Sequence, residues 1–244
     1  MGWRGILSAM SDFKKIPPPD WEGKPLIKRW RENANAVLPN VKKGEKGIMK
    51  RIATYCHNFG YDCKRVIAKI IDDEMFAAHF AINPSQQTIH EKLAADYLQQ
   101  FERVNNFEKL PPSGGSALFL DNNGKLLHQD PEKSKSSQYS KSLDFRWNTA
   151  GVICYASHKY TKESGGGQDH QFRDQKRFLE NFKHHNNPQA ACFAICDGGY
   201  YKPDKMEELE SETRKEPPLS FAVHIEDVAE KLEIVAKFEL ERRQ

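Results

Sequence analysis

Residues 142–182, SLDFRWNTAGVICYASHKYTKESGGGQDHQFRDQKRFLENF, constrain the fold more than any other stretch of the chain. SLDFRW alternates apolar and polar side chains, the two-residue period of a strand, and VICYASHKYT reads as the strand that follows it. Alternation puts Leu143, Phe145 and Trp147 on one face, with Asp144 and Arg146 on the other. In the second segment Ile153, Tyr155, Ser157 and Lys159 share a face. Three glycines, Gly165 to Gly167, then lead into a helix starting near Gln168, where Gln168, Gln171, Phe172, Gln175, Leu179 and Phe182 fall together. Strand, turn, strand, glycine loop, helix predicts an α/β (α+β) protein with a central mixed β-sheet flanked by helices.

The rest of the chain extends that frame. AACFAIC (190–196) is a continuous apolar run, as in a buried strand. LSFAVHI after Pro217-Pro218 reads as an edge strand, KMEELESETRKE as a polar helix, and EDVAEKLEIVAKFELERRQ as an amphipathic helix built on Val228, Leu232 and Val235. Upstream, Ala117 to Leu120 predicts a short strand, and Asn122-Asn123-Gly124 a hairpin turn to a return strand. Residues 129–142 are polar without periodicity and read as a mobile loop. Asn83-Pro84-Ser85 marks a boundary before a helix with Ile89, Leu93, Tyr97 and Phe101 on one face.

Two regions are expected: a helical N-terminal part, 1–110, for DNA contacts or dimerisation, and a core, 111–244. Leu26, Trp30 and Val37 form a candidate apolar stripe. Ile48, Ile52 and Tyr55 space as one short helix, broken at Asn58 to Gly60; Val66, Ile67, Ile70 and Ile71 space as a second. This helix–turn–helix-like pattern is rich in Lys and Arg. It fits two amphipathic helices with solvated faces, or a subdomain that contacts phosphates or reads bases.

Composition narrows the classes. With 244 residues the chain can bury a sizeable core, although 29% of residues are charged and mean hydropathy is −0.76. Net charge is only +3, so a nucleic-acid surface must come from local clustering. No apolar run approaches the ~18 residues of a membrane span. MGWRGILSAM is too short and too weakly apolar for a secretory signal, and lacks the Ser or Thr of a myristoylation motif. An odd number of cysteines, five, fits reduced thiols and a cytoplasmic location. Their spacing makes no zinc site. The glycine run lacks the Lys-Ser/Thr ending of a phosphate-binding P-loop.

The chemistry centres on Asp144. An acid in an otherwise apolar strand needs a partner, either a metal ion or a nearby lysine. Lys159, projecting near the end of the next strand, is placed to meet it. Phosphodiester hydrolysis needs a hard cation on oxygen ligands, an activated water, and a cationic group to position the water or the phosphate. Asp144 and the carbonyl of His158 supply ligands; Lys159 supplies the cationic group. A second carboxylate is expected, yet Ser157 stands two residues before the lysine. Glu163, Asp169 and Asp174 are candidates, with Asp169 first because it lies nearest the glycine loop. Gln168 and Gln171 either serve the site and its DNA or close the loop by hydrogen bonds.

Asp144, the step to Ser157-His158-Lys159, the run ESGGGQD, the helix after it and CFAICDGGYY resemble the PD-(D/E)XK nucleases, and within them type II restriction endonucleases. The resemblance spans roughly 115–202. Two positions depart from the pattern: Leu143 replaces the usual proline, and Ser157 the usual acid. The resemblance implies Mg²⁺-dependent cleavage of double-stranded DNA by a homodimer at a short palindrome. It makes Asp144, Ser157, Lys159, Asp169 and Gln168 the catalytic group, and Asp144, His158, Asp169 and Glu163 the metal ligands. By residue type, Arg146, Gln171, Arg173, Arg177, Asn122, Asn123, Lys133 and Lys135 are the DNA contacts. Two other readings stand beside it: a structure-specific or repair nuclease on the same core, and a non-catalytic DNA-binding protein with a degenerate core.

Overall fold

The computed structural model describes residues 16–21, 23–82, 86–128, 142–162 and 166–242. They divide into two compact units, Asp20–His90 and a larger one made of Met1–Pro19 with Glu91–Gln244.

The smaller unit contains helices α1 (Lys24–Lys42), α2 (Lys46–Phe59), α3 (Cys63–Asp72) and α4 (Glu74–Ala78). Acidic caps set the starts of the last three. Glu45 accepts the N–H groups of Gly47 and Ile48, Asp62 that of Arg65, and Asp73 those of Met75 and Phe76. Gly60 ends α2 at φ 68°, in the left-handed region that glycine enters without a Cβ penalty. Ile48, Ile52, Val66 and Ile70 form the core with Val37, Val41 and Phe80. The apolar stripe expected on α1 is present at Val37, with Leu26 half-buried, and fails at Trp30. Trp30 and Ile27 are exposed, and the turns that face inward carry Val37 and Val41.

The larger unit runs α5 (Gln86–Leu98), β1 (Asn105–Lys109), β2 (Phe119–Leu120), β3 (Leu126–Leu127), β4 (Phe145–Thr149), β5 (Val152–Tyr160), α6 (Gly166–Phe182), β6 (Ala190–Asp197), α7 (Pro203–Glu210), β7 (Leu219–Val223) and α8 (Val228–Arg242). Its five-stranded mixed sheet has the order β1-β4-β5-β6-β7. β1, β4 and β5 are antiparallel neighbours; β6 and β7 continue parallel to β5. The expected α+β architecture, a mixed sheet flanked by helices, is therefore present. β2 and β3 form the separate hairpin expected around Asn122-Asn123-Gly124. The division between units lies within α5, earlier than residue 110, because β1 belongs to the sheet. That strand, NNFEK, has a single apolar residue and so no alternation to read.

β4 and β5 are joined through Ala150 (φ 54°) and Gly151 (φ 98°), two successive positive angles of the kind that match the twist of a tight hairpin. One sheet face packs under α6 and α7: Tyr155, Cys192, Ala194 and Cys196 meet Phe172, Phe178, Leu179 and Phe182. Alanine and cysteine on β6 keep that face low enough for the helix to lie close. On the other face Trp147 meets Phe193 at 5.1 Å, and Phe193 meets Phe221 at 5.0 Å. α8 packs against β4, β5 and β7, burying Val228, Leu232 and Val235. Leu143 departs from the expected face. It lies before β4 begins and joins the cluster of Tyr155 and Phe172, since alternation holds only once the ladder is formed. On α5 the buried residues are His90, Ala94, Ala95, Tyr97 and Leu98; Ile89 and Leu93 are half-buried, as is Phe101 beyond the helix end.

The packing makes a cysteine prediction. Cys63 is exposed, and Cys56, Cys154, Cys192 and Cys196 are buried. Burial pushes the Cys56 thiol up to about 11 and the Cys154 thiol up to about 12, and holds Cys192 and Cys196 well above the usual thiol range. A disulfide-exchange dye at pH 8 is expected to label one thiol quickly in the native chain and five in denaturant. Cys63→Ser removes the fast one. Rapid labelling of several thiols in the native chain would contradict this packing.

Candidate functional site

The sheet's construction brings Asp144 and Lys159 together. β4 and β5 pair Phe145 with Ala156 and Arg146 with Tyr155. One step further the Asp144 N–H donates to the Ala156 carbonyl at 2.9 Å. Asp144 thus lies just past the last paired residues of the ladder, where its side chain reaches His158 and Lys159. Asp144 Oδ2 accepts the backbone N–H of His158 at 2.7 Å and lies 3.3 Å from Lys159 Nζ. Lys159 Nζ also donates to the His158 carbonyl at 2.8 Å. The two side chains are only 10% and 12% exposed, so the pair is shielded from bulk water.

This geometry can do specific chemistry. A carboxylate oxygen and a peptide carbonyl converge on one point, and a cation, the lysine ammonium, already occupies it. Those are the hard oxygen donors that Mg²⁺ takes, and Mg²⁺ typically uses only one or two carboxylates with water and substrate phosphate completing its shell. Asp144 and the His158 carbonyl therefore fit such an ion as a partial set. Among the described residues, no three His, Cys, Asp or Glu side chains cluster in a metal-holding arrangement.

Of the other site candidates, Asp169 and Gln171 reach the residues just after β6 and β5. Ser157 is buried, and its carbonyl accepts from Gln175 Nε2 at 3.2 Å. α6 begins at Gly166, earlier than Gln168, so two of the three glycines are helical and Asp169 sits in the first turn. There it favours the helix N-terminus by charge. Asp169 Oδ1 accepts the Tyr200 hydroxyl at 2.7 Å. Burial, and then the bond to Asp169, push Tyr200 up to about 12. Gln171 accepts the Thr161 hydroxyl at 2.8 Å, the loop-closing role of the two expected for it. Gln168 belongs to α6 by its backbone. Arg173 is tied to its own helix through the Asp169 carbonyl and His170. Arg146 and Arg177 are exposed, as are Asn122 and Asn123 in the hairpin turn. Glu163, Lys133 and Lys135 lie outside the described residues.

Sequence reading missed the back of the site. His158, adjacent to Lys159, turns its ring to the opposite sheet face, where it is fully buried. Its Nε2 lies 3.3 Å from Asp197 Oδ2. Asp197 Oδ1 also accepts the N–H of Ile225 at 3.1 Å. The available signal was the two-residue period itself. A histidine opposite the lysine face of a buried strand needs a polar partner, and Asp197 ends the neighbouring apolar run. Tyr200 was equally hidden, inside a segment, DGGYY, that reads as a turn.

An open groove of about 540 Å³ runs beside β7, lined by residues that include Phe221, Ile234 and Phe238. Neither Asp144 nor Lys159 lines it.

The turn after β6 locks the rim. Thr161 donates its N–H to the Asp197 carbonyl at 2.8 Å, and its carbonyl accepts from Tyr200 at 3.1 Å. Gly198, at φ 97°, leaves no room there: a Cβ would stand 2.3 Å from the Thr161 oxygen. Gly198→Ala is expected to cost more than ~2 kcal/mol from left-handed strain and the clash together. It should lower the thermal midpoint by about 4–8 °C. An unchanged melting curve would contradict this turn.

No family model, no curated protein and no solved structure matches this chain.

Proposed function

We propose that this protein is a metal-dependent nuclease of the PD-(D/E)XK type, a restriction-type endonuclease cutting double-stranded DNA as a homodimer. The observation that carries the reading is the meeting of Asp144 and Lys159, from neighbouring strands, 3.3 Å apart at one rim of the sheet. The sheet supports it too: three antiparallel strands followed by a parallel one across α6. Asp144 and the His158 carbonyl would hold Mg²⁺, with Asp169 as the second carboxylate once released from Tyr200. The ion, when bound, polarises the scissile phosphate and lowers the pKa of a water. Lys159 then places its ammonium against the phosphate or that water. The buried Ser157 keeps the strand close-packed where a second acid would otherwise stand.

The test is a digest of phage DNA by the full chain with Mg²⁺. Discrete fragments are expected, matching restriction-type cutting. A featureless ladder would move the reading to a structure-specific or repair nuclease on the same core. DNA that is bound but left intact would overturn the catalytic reading.

A further inference from the structure

The smaller unit carries a surface that the cleavage chemistry does not use. Residues 24–71 hold twelve Lys and Arg against three Asp and Glu, a net +9 inside a chain whose total is +3. The charge is presented outward. Lys42, Lys43, Lys46, Lys50, Lys64 and Arg65 are all exposed. Among the described residues none of these six pairs with an acid, whereas Lys69 pairs with Asp73 and Arg29 with Glu32. So concentrated a charge, left without counter-charges, raises the free energy of the isolated unit and favours a polyanionic partner.

The backbone beneath has the form of a helix–turn–helix. α2 ends at Gly60 in the left-handed region, Tyr61 follows, and Asp62 caps α3. The turn is three residues long, the length that sets two helices at a steep angle. Val66 and Ile70 anchor α3 inward. Its outward face begins with Lys64 and Arg65, followed one turn later by exposed Ala68. At ten residues α3 is about 15 Å long, and its width suits a major groove. Long basic side chains at the start and a small residue in the middle permit close approach of the helix to base edges.

We propose that α2 and α3 form a duplex-DNA docking module, in which α3 enters the major groove through Lys64, Arg65 and Ala68 while Lys42, Lys43, Lys46 and Lys50 contact phosphates. This inference does not depend on the cleavage reading. It holds for a nuclease and for a DNA-binding protein that cuts nothing.

The experiment is fluorescence anisotropy of the full chain with a labelled mixed-sequence duplex of about 20 base pairs, in EDTA, at several salt concentrations. Wild-type protein is expected to bind with a steep negative salt dependence. The Lys64→Ala, Arg65→Ala double variant should bind at least tenfold more weakly, and its log–log salt slope should shrink by about 2. Both side chains are solvent-exposed, so the variant's melting curve should match wild type. Lys237→Ala, an exposed lysine on α8 that no site uses, should retain full binding, and because the titration runs in EDTA, failure here is separate from failure of the cleavage reading. The proposal is overturned if the double variant binds like wild type, or if the duplex shows no salt-dependent binding. It is equally overturned if a single strand of the same length binds better than the duplex and loses that binding with Phe59→Ala. Binding only to phosphatidylserine vesicles would overturn it as well.

Discussion

Asp144→Asn is expected to abolish Mg²⁺-dependent DNA cleavage, by at least about 10³-fold, while leaving a folded protein. The asparagine keeps an oxygen for the His158 N–H, so the ladder between β4 and β5 can stay closed. What it removes is charge: the anion that, on the proposed function, would hold a divalent ion against a phosphate. Lys159→Ala should cost a comparable factor by a different route. It leaves the carboxylate in place and takes away the ammonium that sits between Asp144 and the His158 carbonyl. The two variants should therefore separate in metal dependence. Asp144→Asn should need far more Mg²⁺ for any residual cutting, and Lys159→Ala should saturate near the wild-type concentration. Single-turnover cleavage measured across Mg²⁺ concentrations checks both. Cleavage within a few-fold of wild type in either variant would remove that residue from the chemistry.

The second large effect is on stability. Asp197 holds together the reverse side of the same strands. Its carboxylate takes the Ile225 N–H at 3.1 Å and lies 3.3 Å from the fully buried His158 ring. Asp197→Ala takes the acceptor from the Ile225 N–H and removes the carboxylate beside the buried imidazole in a dry interior. The stranded donor alone costs about 1–3 kcal/mol, and loss of the carboxylate beside the imidazole adds to it, so a total of about 3 kcal/mol is expected. The thermal midpoint should fall by about 10 °C or more. Asp197→Asn keeps an oxygen for Ile225 and should lose less than half as much. The effect should reach the rim, because the His158 peptide supplies both the N–H to Asp144 and the carbonyl to Lys159. Equal melting of Asp197→Ala and wild type would show that the pair carries no weight.

These expectations differ in how legible they were in the chain. β4, β5, α6 and β6 were readable because their side chains alternate or cluster in long, regular patterns, and the sheet buries one or both faces of each. The convergence of Asp144 with Lys159 followed from the same alternation. β1 was not readable: with Phe107 its only apolar residue, its place depends on backbone pairing with β4, which leaves no mark in side-chain order. The start of α6 was misplaced by two residues, since Gly166 and Gly167 have low helical preference and are held by tertiary context. The partners of Asp169 and His158 come from residues 31 and 39 positions away, Tyr200 and Asp197, contacts that no local pattern encodes. The stripe on α1 held at Val37 and failed at Trp30 for a related reason. Several apolar positions shared a helix face, and only packing against α2 to α4 decided that Val37 and Val41 go inside while Trp30 stays out.

The central proposal is that the Asp144 carboxylate and the His158 carbonyl hold a divalent ion for phosphodiester hydrolysis, with the Lys159 ammonium on the adjacent strand placing the phosphate or the water. Calorimetric titration of Mg²⁺ into the full chain with a short duplex, wild type against Asp144→Asn, tests it most directly. Binding is expected in the wild type and is lost in Asp144→Asn, in a protein that remains folded; equal Mg²⁺ binding by both proteins would contradict it.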